Sequence, residues 1–263
     1  MSEMGRHPET NAEAYHVLGV RVHAVQIPGV VSDMKDWIAE RRRGHFIAVT
    51  GMHGVVEAHH DPAFRTVLNH ADLVVPDGMP LVWLARIKGH ALKRRVYGPE
   101  LMGTFCEQTS TKGYRHFFYG GAPGVADELA ARFATRFPGV TPVGTYCPPF
   151  RPLTEKEDME VISIINRSRA DVVWVGLSTP KQERWMFEHR DRLEAPVLVG
   201  VGAAFDFHTE RIAQAPEWMR ENGLEWLFRL LHEPRRLWKR YVVFGSEFTF
   251  CVLLELAGLK KFD

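Results

Sequence analysis

The chain has 263 residues, of which 45% are hydrophobic and 25% are charged, the proportions of an ordinary globular protein. This composition excludes a largely disordered chain and a fibrous repeat. The balance of 33 Lys and Arg against 32 Asp and Glu leaves a formal net charge of +1. No overall positive field is therefore present to gather nucleic acid, and we expect no nucleic-acid partner. Any anionic ligand must be bound by local groups of cations.

The cysteines and the first residues bear on the compartment of the protein. Cys106, Cys147 and Cys251 lie far apart and form no CxxC pair, which excludes a disulfide framework and a zinc knuckle on spacing. Residues 1–15 contain three glutamates and no apolar stretch, so no signal peptide is expected. The sequence therefore predicts a cytoplasmic protein.

Short β-branched segments alternate along the chain with longer segments of helical period. The helical segments are 32–43, 125–137 and 154–169, the last of which opens with the capping box Thr154-x-x-Glu157. The predicted strands lack polar alternation, as expected where helices cover both faces of a sheet, and they are 46–50, 73–76, 115–119, 140–145, 171–176 and 196–201. The sequence therefore predicts an α/β, Rossmann-like fold with a largely parallel sheet and helices on both faces.

The composition changes near residue 213, which separates a predicted α/β core, 1–212, from a C-terminal helical appendage, 213–263. Residues 224–240 hold five Lys or Arg against two Glu, a local charge of +3. Residues 241–259 are apolar but contain Glu247 and Glu255. Each charge at mid-membrane costs roughly 2.5–3.5 kcal/mol, so an interfacial, membrane-proximal segment suits the sequence better than a spanning helix. The alternative is that the appendage packs on the core as ordinary helices.

A carboxylate directly follows the second predicted strand. Asp77 lies in the turn Val75-Pro76-Asp77-Gly78, at the edge of the sheet where ligands of such folds collect. A carboxylate at this edge can accept a proton from a sugar hydroxyl if its pKa and its reach allow. The alternative is an Asx turn or a helix N-cap, and spacing alone favours that alternative.

The preceding strand ends in the sequence TGMHG, residues 50–54, which places a hydroxyl, an imidazole and backbone N–H groups at the same edge. His53, His59 and His60 have no HExxH or comparable ligand spacing, so exposed or capping histidines are favoured over a metal site. The chain also contains no Asp-x-Asp. An enzyme that handles a diphosphate without this metal-binding pair must neutralise the anion with cations or helix N-termini.

Cationic residues that can bind such an anion are concentrated in two segments, residues 86–95 and 229–240. Arg95 directly precedes the turn Val96-Tyr97-Gly98-Pro99, and this turn fixes the direction in which the Arg95 side chain points. The glycine-rich loop 120–124 resembles a phosphate-binding loop, but it lacks the Walker A Lys-Ser/Thr and the full GxGxxG spacing. At another strand-to-helix edge, Gln182 falls in the first turn of a helix that Pro180 starts, where it can hold a sugar or a base amide.

Taken together, these segments resemble the WecG/TagA/CpsF family, glycosyltransferase family 26. The resemblance covers about residues 17–241 and rests on an ordered series of motifs. The motifs are ADLVVPDG at 71–78, RVYGPEL at 95–101, FYGG at 118–121, PKQERW at 180–185, GAAFD at 202–206, APEWM at 215–219, GLEW at 223–226 and EPRR at 233–236.

Members of this family transfer a sugar from a UDP-sugar to a polyprenyl-diphosphate-linked saccharide during cell-surface polysaccharide synthesis. The resemblance implies metal-independent transfer of a hexose-type sugar with inversion at the anomeric carbon, and no cofactor. It also implies peripheral association with the inner face of the cell membrane. The appendage then serves as a membrane-proximal lid over the active site.

The resemblance further implies roles for individual residues. Asp77 is the candidate general base, and Thr50 lies in the same pocket. The donor and diphosphate contacts are assigned to Arg95, Gln182, Arg229 and Arg236, the last two gripping the leaving UDP.

One position departs from the family pattern. Many members carry Asn two residues after the Thr, whereas this chain has Met52 there, followed by His53. The sugar contact of that Asn is either lost or made by His53, which we treat as a candidate substrate-binding residue. The donor sugar (glucose, N-acetylmannosamine or a uronic acid), the acceptor sugar and the oligomeric state therefore stay open, with an oligomer possible.

Two other functions are compatible with parts of the sequence. A Rossmann-type oxidoreductase could use residues 120–124 for a dinucleotide, but residues 134–141 lack the acidic residue expected for the ribose. A non-catalytic, membrane-associated nucleotide-sugar-binding module would leave Asp77 as a turn residue. Titration with UDP and with NAD, followed by a sugar-transfer assay, distinguishes these alternatives.

Overall fold

The structure is a computed structural model that describes residues 12–262. The prediction that the chain begins without a signal peptide falls largely outside the described residues. Two strands, β1 (Ala14–Val17) and β2 (Val20–His23), form an antiparallel hairpin that the sequence analysis did not predict. The remaining strands are β3 (His45–Thr50), β4 (Leu73–Pro76), β5 (Arg115–Gly120), β6 (Thr141–Tyr146), β7 (Val172–Gly176) and β8 (Val197–Gly200).

These six strands form a parallel sheet in the order β4-β3-β8-β7-β5-β6. Each of them corresponds to a predicted strand, so the predicted α/β fold is confirmed. From β3 the chain moves outward to β4, and from β5 it moves outward in the opposite direction to β6. This reversal creates a crevice beyond the carboxyl ends of the strands, the usual place for a ligand in an open α/β sheet.

Helices cover both faces of the sheet. The helices of the core are α1 (Ile27–Ala39), α2 (Met52–His60), α3 (Pro62–Asn69), α4 (Met79–Ile87), α5 (Gly98–Gln108), α6 (Val125–Arg136), α7 (Glu155–Ser168), α8 (Lys181–His189) and α9 (Ala204–His208). The appendage contains α10 (Glu217–Glu221), α11 (Glu225–His232), α12 (Pro234–Trp238), a π-helical turn (Lys239–Val243) and α13 (Phe244–Leu256).

Alternate residues of the five buried strands of this sheet, β3, β4, β5, β7 and β8, enter two separate hydrophobic clusters. In β3, Phe46 and Ala48 face one cluster with α2, α3, α4, α7 and α8, while Ile47 and Val49 face the other with α1, α5, α6 and α9. All four side chains are buried. This arrangement explains why the strands read as continuous apolar runs rather than as an alternating pattern.

Two helix predictions can be compared in detail with the structure. The capping box of α7 is confirmed: the Glu157 N–H donates to Thr154 Oγ1 (3.3 Å), and the Thr154 N–H donates to Glu157 Oε2 (2.8 Å). The first helix was predicted at 32–43 but begins at Ile27 and ends at Ala39. The earlier start places Pro28 in the first turn, where a proline is well tolerated.

The last helix packs on the core through one face. Phe248 and Cys251 of α13 are buried in the cluster that contains α2. The two glutamates that interrupt the apolar segment also face the core, since Glu255 pairs with Lys88 (2.6 Å) and Glu247 pairs with His60. The alternative that these helices pack on the core is therefore correct for this face.

The opposite face of α13 exposes Phe250, Leu253 and Leu256. Across residues 12–262, no helix has both the length and the apolar character needed to cross a membrane.

Candidate active site

The turn that carries Asp77 is fixed by the neighbouring strand. Strands β3 and β4 pair in parallel with Thr50 beside Pro76, and the Asp77 N–H donates to the Thr50 carbonyl oxygen (2.8 Å). Gly78 follows with φ +129°, a conformation that suits glycine, and the chain turns into α4. The carboxyl ends of β3 and β4 therefore hold Asp77 at the edge of the sheet, as the sequence predicts.

Gly51 provides the close approach that this turn requires. A Cβ at residue 51 would lie 2.5 Å from the Asp77 carbonyl oxygen, which is closer than real Cβ contacts allow. We expect Gly51→Ala to displace the Asp77 turn, to destabilise the fold by roughly 1–3 kcal/mol through overpacking, and to lower turnover. Thermal unfolding and steady-state kinetics measure the two effects. Unchanged turnover would show that the Asp77 turn tolerates displacement.

Asp77 lines a cavity of about 90 Å³ that the core and the appendage enclose together. The core contributes the turns after β3 and β4 and the segment before α5, and the appendage contributes α11 and the π-helical turn. The charged, polar and aromatic side chains in its lining are those of His53, Asp77, Arg95, Tyr97, Glu225, Trp226, Arg229, Arg240 and Tyr241. The appendage thus completes the wall of this cavity.

Asp77, Arg95 and Glu225 form a charged cluster in this cavity. Arg95 Nη1 lies 3.8 Å from Asp77 Oδ1, while Arg95 Nη2 donates a hydrogen bond to Glu225 Oε2. The Asp77 side chain is 27% exposed overall, but its Oδ1 is buried and accepts no hydrogen bond from any described residue. Arg95 is therefore engaged mainly by Glu225, and the Asp77 carboxylate keeps hydrogen-bonding capacity and some exposed surface toward the cavity.

The surroundings of Asp77 shift its pKa. Burial raises the pKa of the Asp77 carboxyl, nearby Arg95 partly offsets the increase, and Glu225 adds to it. The combined charge of Asp77 and Glu225 outweighs burial at Arg95 and raises the pKa of its guanidinium. A carboxylate with a raised pKa is a stronger base than an ordinary aspartate, which suits proton abstraction.

His53 makes a hydrogen bond with the appendage. An Arg240 Nη2–H group donates to His53 Nδ1 over 3.0 Å. Burial, together with Arg240 and Arg229, holds the pKa of His53 well below its ordinary value, so the imidazole is neutral at pH 7. Because Nδ1 accepts this hydrogen bond, the ring proton is on Nε2. His53 can then donate a hydrogen bond into the cavity but cannot take a proton there through Nδ1.

Two residues predicted to bind substrate lie buried at the same edge, outside the lining of the Asp77 cavity. Thr50 Oγ1 lies near Gly54 of α2 and has no hydrogen-bond partner among residues 12–262. Gln182 Oε1 accepts from the Gly202 N–H (2.9 Å), and its Nε2 donates to Glu183 Oε1 (3.0 Å). The structure therefore gives Gln182 a contact that fixes the loop after β8, and its role toward substrate stays a prediction.

The predicted arginines of the appendage divide into two groups. Arg229 and Arg240 line the Asp77 cavity, and the Nε atom of each is buried without a hydrogen-bond partner in the described part of the chain. Arg236 lies outside the cavity lining, is 56% exposed and pairs with Glu233. Arg240 was predicted only as one member of the basic cluster, so the structure identifies it as a site residue that the sequence analysis missed.

Glu225 and Tyr97 are further site residues to which the sequence analysis assigned no role. Glu225 is buried although it lies in the most basic part of the chain. Tyr97 is also buried and belongs to the turn that follows Arg95. An acid in the first turn of a helix is already accounted for by the helix dipole, so no local signal marked Glu225 as a partner of Arg95.

No group of three or more His, Cys, Asp or Glu side chains within residues 12–262 is arranged to hold a metal ion. The cationic side chains of the cavity are instead the groups suited to bind an anion. A carboxylate with a raised pKa, facing arginines at the carboxyl edge of a parallel sheet, defines a group-transfer site for an anionic substrate.

Comparison with known proteins identifies this class further. The model of the Glycosyl transferase WecG/TagA/CpsF family matches residues 15–261, and the chain belongs to this family of glycosyltransferases. A relative from Bacillus spizizenii, N-acetylglucosaminyldiphosphoundecaprenol N-acetyl-beta-D-mannosaminyltransferase, is 30% identical over 89% of each chain. Relatives with the same name from Bacillus subtilis and Staphylococcus aureus are 28% identical over 77% and 25% identical over 88% of this chain, covering 76% and 88% of their own lengths.

Proposed function

We propose that this glycosyltransferase moves a sugar from a UDP-sugar to a polyprenyl-diphosphate-linked saccharide, by inversion and without a metal ion. The observation that carries the proposal is the partly exposed Asp77 carboxylate, which pairs with Arg95 but accepts no hydrogen bond at Oδ1 from the described residues, in a cavity lined by Arg95, Arg229 and Arg240. The names of the relatives support N-acetylmannosamine as the sugar and N-acetylglucosaminyl diphosphate as the head of the acceptor.

The proposed reaction is a single displacement. Asp77 takes the proton of the acceptor hydroxyl while the oxygen of that hydroxyl attacks the anomeric carbon from the face opposite UDP. The bond between that carbon and the phosphate oxygen breaks, and UDP leaves with the electron pair. A single attack of this kind inverts the configuration of the anomeric carbon.

The arginines stabilise the leaving group in this proposal. Negative charge develops on the diphosphate as the glycosidic bond breaks, and Arg229 and Arg240 lie in the same cavity as Asp77. A preorganised donor aimed at developing charge is worth roughly 3–4 kcal/mol in the transition state. Cations in these positions can do the work that Asp-x-Asp enzymes assign to a metal ion.

The surface beside the cavity supports peripheral association with the inner face of the cell membrane. Large apolar side chains are exposed on α4 and on the appendage, and the appendage also exposes the basic residues Arg235, Arg236 and Lys239. The exposed apolar side chains are those of Trp83, Ile87, Trp218, Leu231, Trp238, Val242 and Phe250. Aromatic and basic residues together favour the interface of an anionic bilayer, where a polyprenyl-linked acceptor would be found.

The test is a transfer assay with the full-length protein. UDP-N-acetylmannosamine, UDP-glucose and their uronic acids are each offered with an N-acetylglucosaminyl diphospholipid in anionic vesicles, with and without EDTA. We expect transfer from one donor, unaffected by EDTA, with an inverted anomeric linkage by NMR and with the protein sedimenting with the vesicles. Binding of UDP without transfer from any donor would instead indicate a non-catalytic binding module.

A further inference from the structure

Tyr97 lies where three cavities of the protein meet. It lines the cavity of about 90 Å³ that contains Asp77, and also a net basic groove of about 140 Å³. The charged residues of this basic groove are Lys93, Arg94, Arg95 and Arg220 together with Glu100 and Glu217. Tyr97 lines a third cavity as well, of about 540 Å³, between α5 and α9. Tyr97 is common to all three linings, so a ligand that extends from Asp77 into either neighbouring cavity would lie close to this side chain.

The ring of Tyr97 is held in place, but its hydroxyl has no partner. The side chain is 6% exposed, with the Arg95 guanidinium 4.3 Å from the ring centre and the Phe207 ring 5.9 Å away, edge to face. Within residues 12–262, the buried Tyr97 Oη makes no hydrogen bond. Buried hydroxyls are nearly always hydrogen-bonded in folded proteins. A hydroxyl without a partner at a cavity wall therefore indicates that a ligand forms the missing hydrogen bond.

The distribution of charge among the three cavities indicates whether the sugar donor or the saccharide acceptor contacts Tyr97. Arg229 and Arg240 line the Asp77 cavity but neither of the other two, so the donor diphosphate belongs on the appendage side. The basic groove offers a separate place for a second diphosphate, that of the acceptor. The sugar between that diphosphate and Asp77 would then lie against Tyr97.

We infer that Tyr97 is a specificity-determining residue whose hydroxyl donates a hydrogen bond to the acceptor saccharide, next to the hydroxyl that Asp77 deprotonates. This inference rests on the proposed glycosyl transfer. Burial and the nearby Glu225 and Asp77 raise the pKa of Tyr97, which keeps the phenol protonated and able to donate. A neutral donor suits a neutral sugar, whereas the surrounding arginines suit phosphates.

Tyr97→Phe is the decisive variant, since it keeps the ring and its contacts with Arg95 and Phe207 and removes only the hydroxyl. We expect the KM for an N-acetylglucosaminyl diphosphate carrying a short alkyl chain to rise roughly tenfold, the worth of one hydrogen bond. The affinity for UDP, measured by calorimetry, should stay unchanged. The Tm of the ligand-free protein should not fall, because no hydrogen bond is lost in that state.

Tyr15→Phe is the matched control. Tyr15 is also buried, but its hydroxyl donates to the Leu81 carbonyl oxygen (2.9 Å), and Tyr15 lines none of the three cavities. This variant should lower the Tm and leave the acceptor KM unchanged, the reverse of Tyr97→Phe. Such a reversal separates a substrate contact from a structural role.

An unchanged acceptor KM in Tyr97→Phe overturns the inference, and so does a loss of UDP affinity of similar size, which would place Tyr97 on the donor side. Calorimetry with the same acceptor probe and no donor keeps the test independent of turnover. If the wild-type protein transfers no sugar, the proposed function fails. Weaker binding of the probe by Tyr97→Phe would still support the contact, and equal binding would remove it.

Discussion

Asp77→Asn should lower kcat by roughly 10²–10⁴-fold, the usual contribution of a general base, while leaving the fold and the affinity for UDP unchanged. The amide has the shape of the carboxylate but cannot take the proton of the acceptor hydroxyl. Stability should not fall, since Arg95 keeps its hydrogen bond to Glu225 and a partly buried charge is removed. Single-turnover transfer, UDP calorimetry and thermal unfolding measure the three quantities.

The pH dependence of kcat/KM in the wild-type protein is a second test of Asp77 as the general base. Only the deprotonated carboxylate acts as a base, so kcat/KM should fall as the pH drops through the pKa of Asp77. Burial raises that pKa, so the acid limb should lie above the range of an ordinary aspartate. Asp191→Asn, an exposed aspartate after α8, is the control and should leave rate and profile unchanged. Near-normal turnover of Asp77→Asn would remove Asp77 from the role.

The sheet and its catalytic edge could be predicted from the sequence because local patterns determine them. Five of the six strands are largely buried, so most of them appear as short apolar runs, whereas the edge strand β6 is only half-buried. Asp77 was identifiable because the chain turns sharply at Gly78 directly after such a run. The hairpin of β1 and β2 was missed because a polar residue interrupts each of these strands, which leaves no unbroken apolar run.

The remaining part of the site could not be predicted because it depends on contacts distant in sequence. Glu225 meets Arg95 across 130 residues, and Arg240 meets His53 across 187. No local pattern shows which arginine of the basic cluster turns inward. The family resemblance assigned the UDP contacts to Arg229 and Arg236, of which only Arg229 lines the cavity. Arg240 lies in the lining because the π-helical turn positions it opposite α2. Local sequence patterns thus determine the edge of the sheet, whereas tertiary contacts determine where the appendage lies beside it.

Arg240→Met should lower kcat by roughly 10²–10³-fold, the effect of removing one preorganised donor from a developing oxyanion. The side chain lines the Asp77 cavity, is held by His53 Nδ1 and has a buried Nε without a partner in the described residues, so it is placed to bind a ligand oxygen. Methionine keeps most of the side-chain volume and removes the charge. The leaving diphosphate then loses a cation that strengthens its binding as the bond breaks.

The matched variants lie on the same segment of the appendage. Arg235→Met removes an equal charge from an exposed position outside the cavity lining and should keep kcat within about twofold, since surface charges contribute little. Arg236→Met compares the sequence prediction with the structure and should have a smaller effect than Arg240→Met. Equal losses of kcat in all three variants would show that the net charge of the appendage acts at a distance, through attraction to an anionic membrane. That result would contradict a direct contact of Arg240 with the leaving group. Raising the salt concentration separates the two cases, because it weakens the long-range attraction and leaves a buried contact largely unscreened.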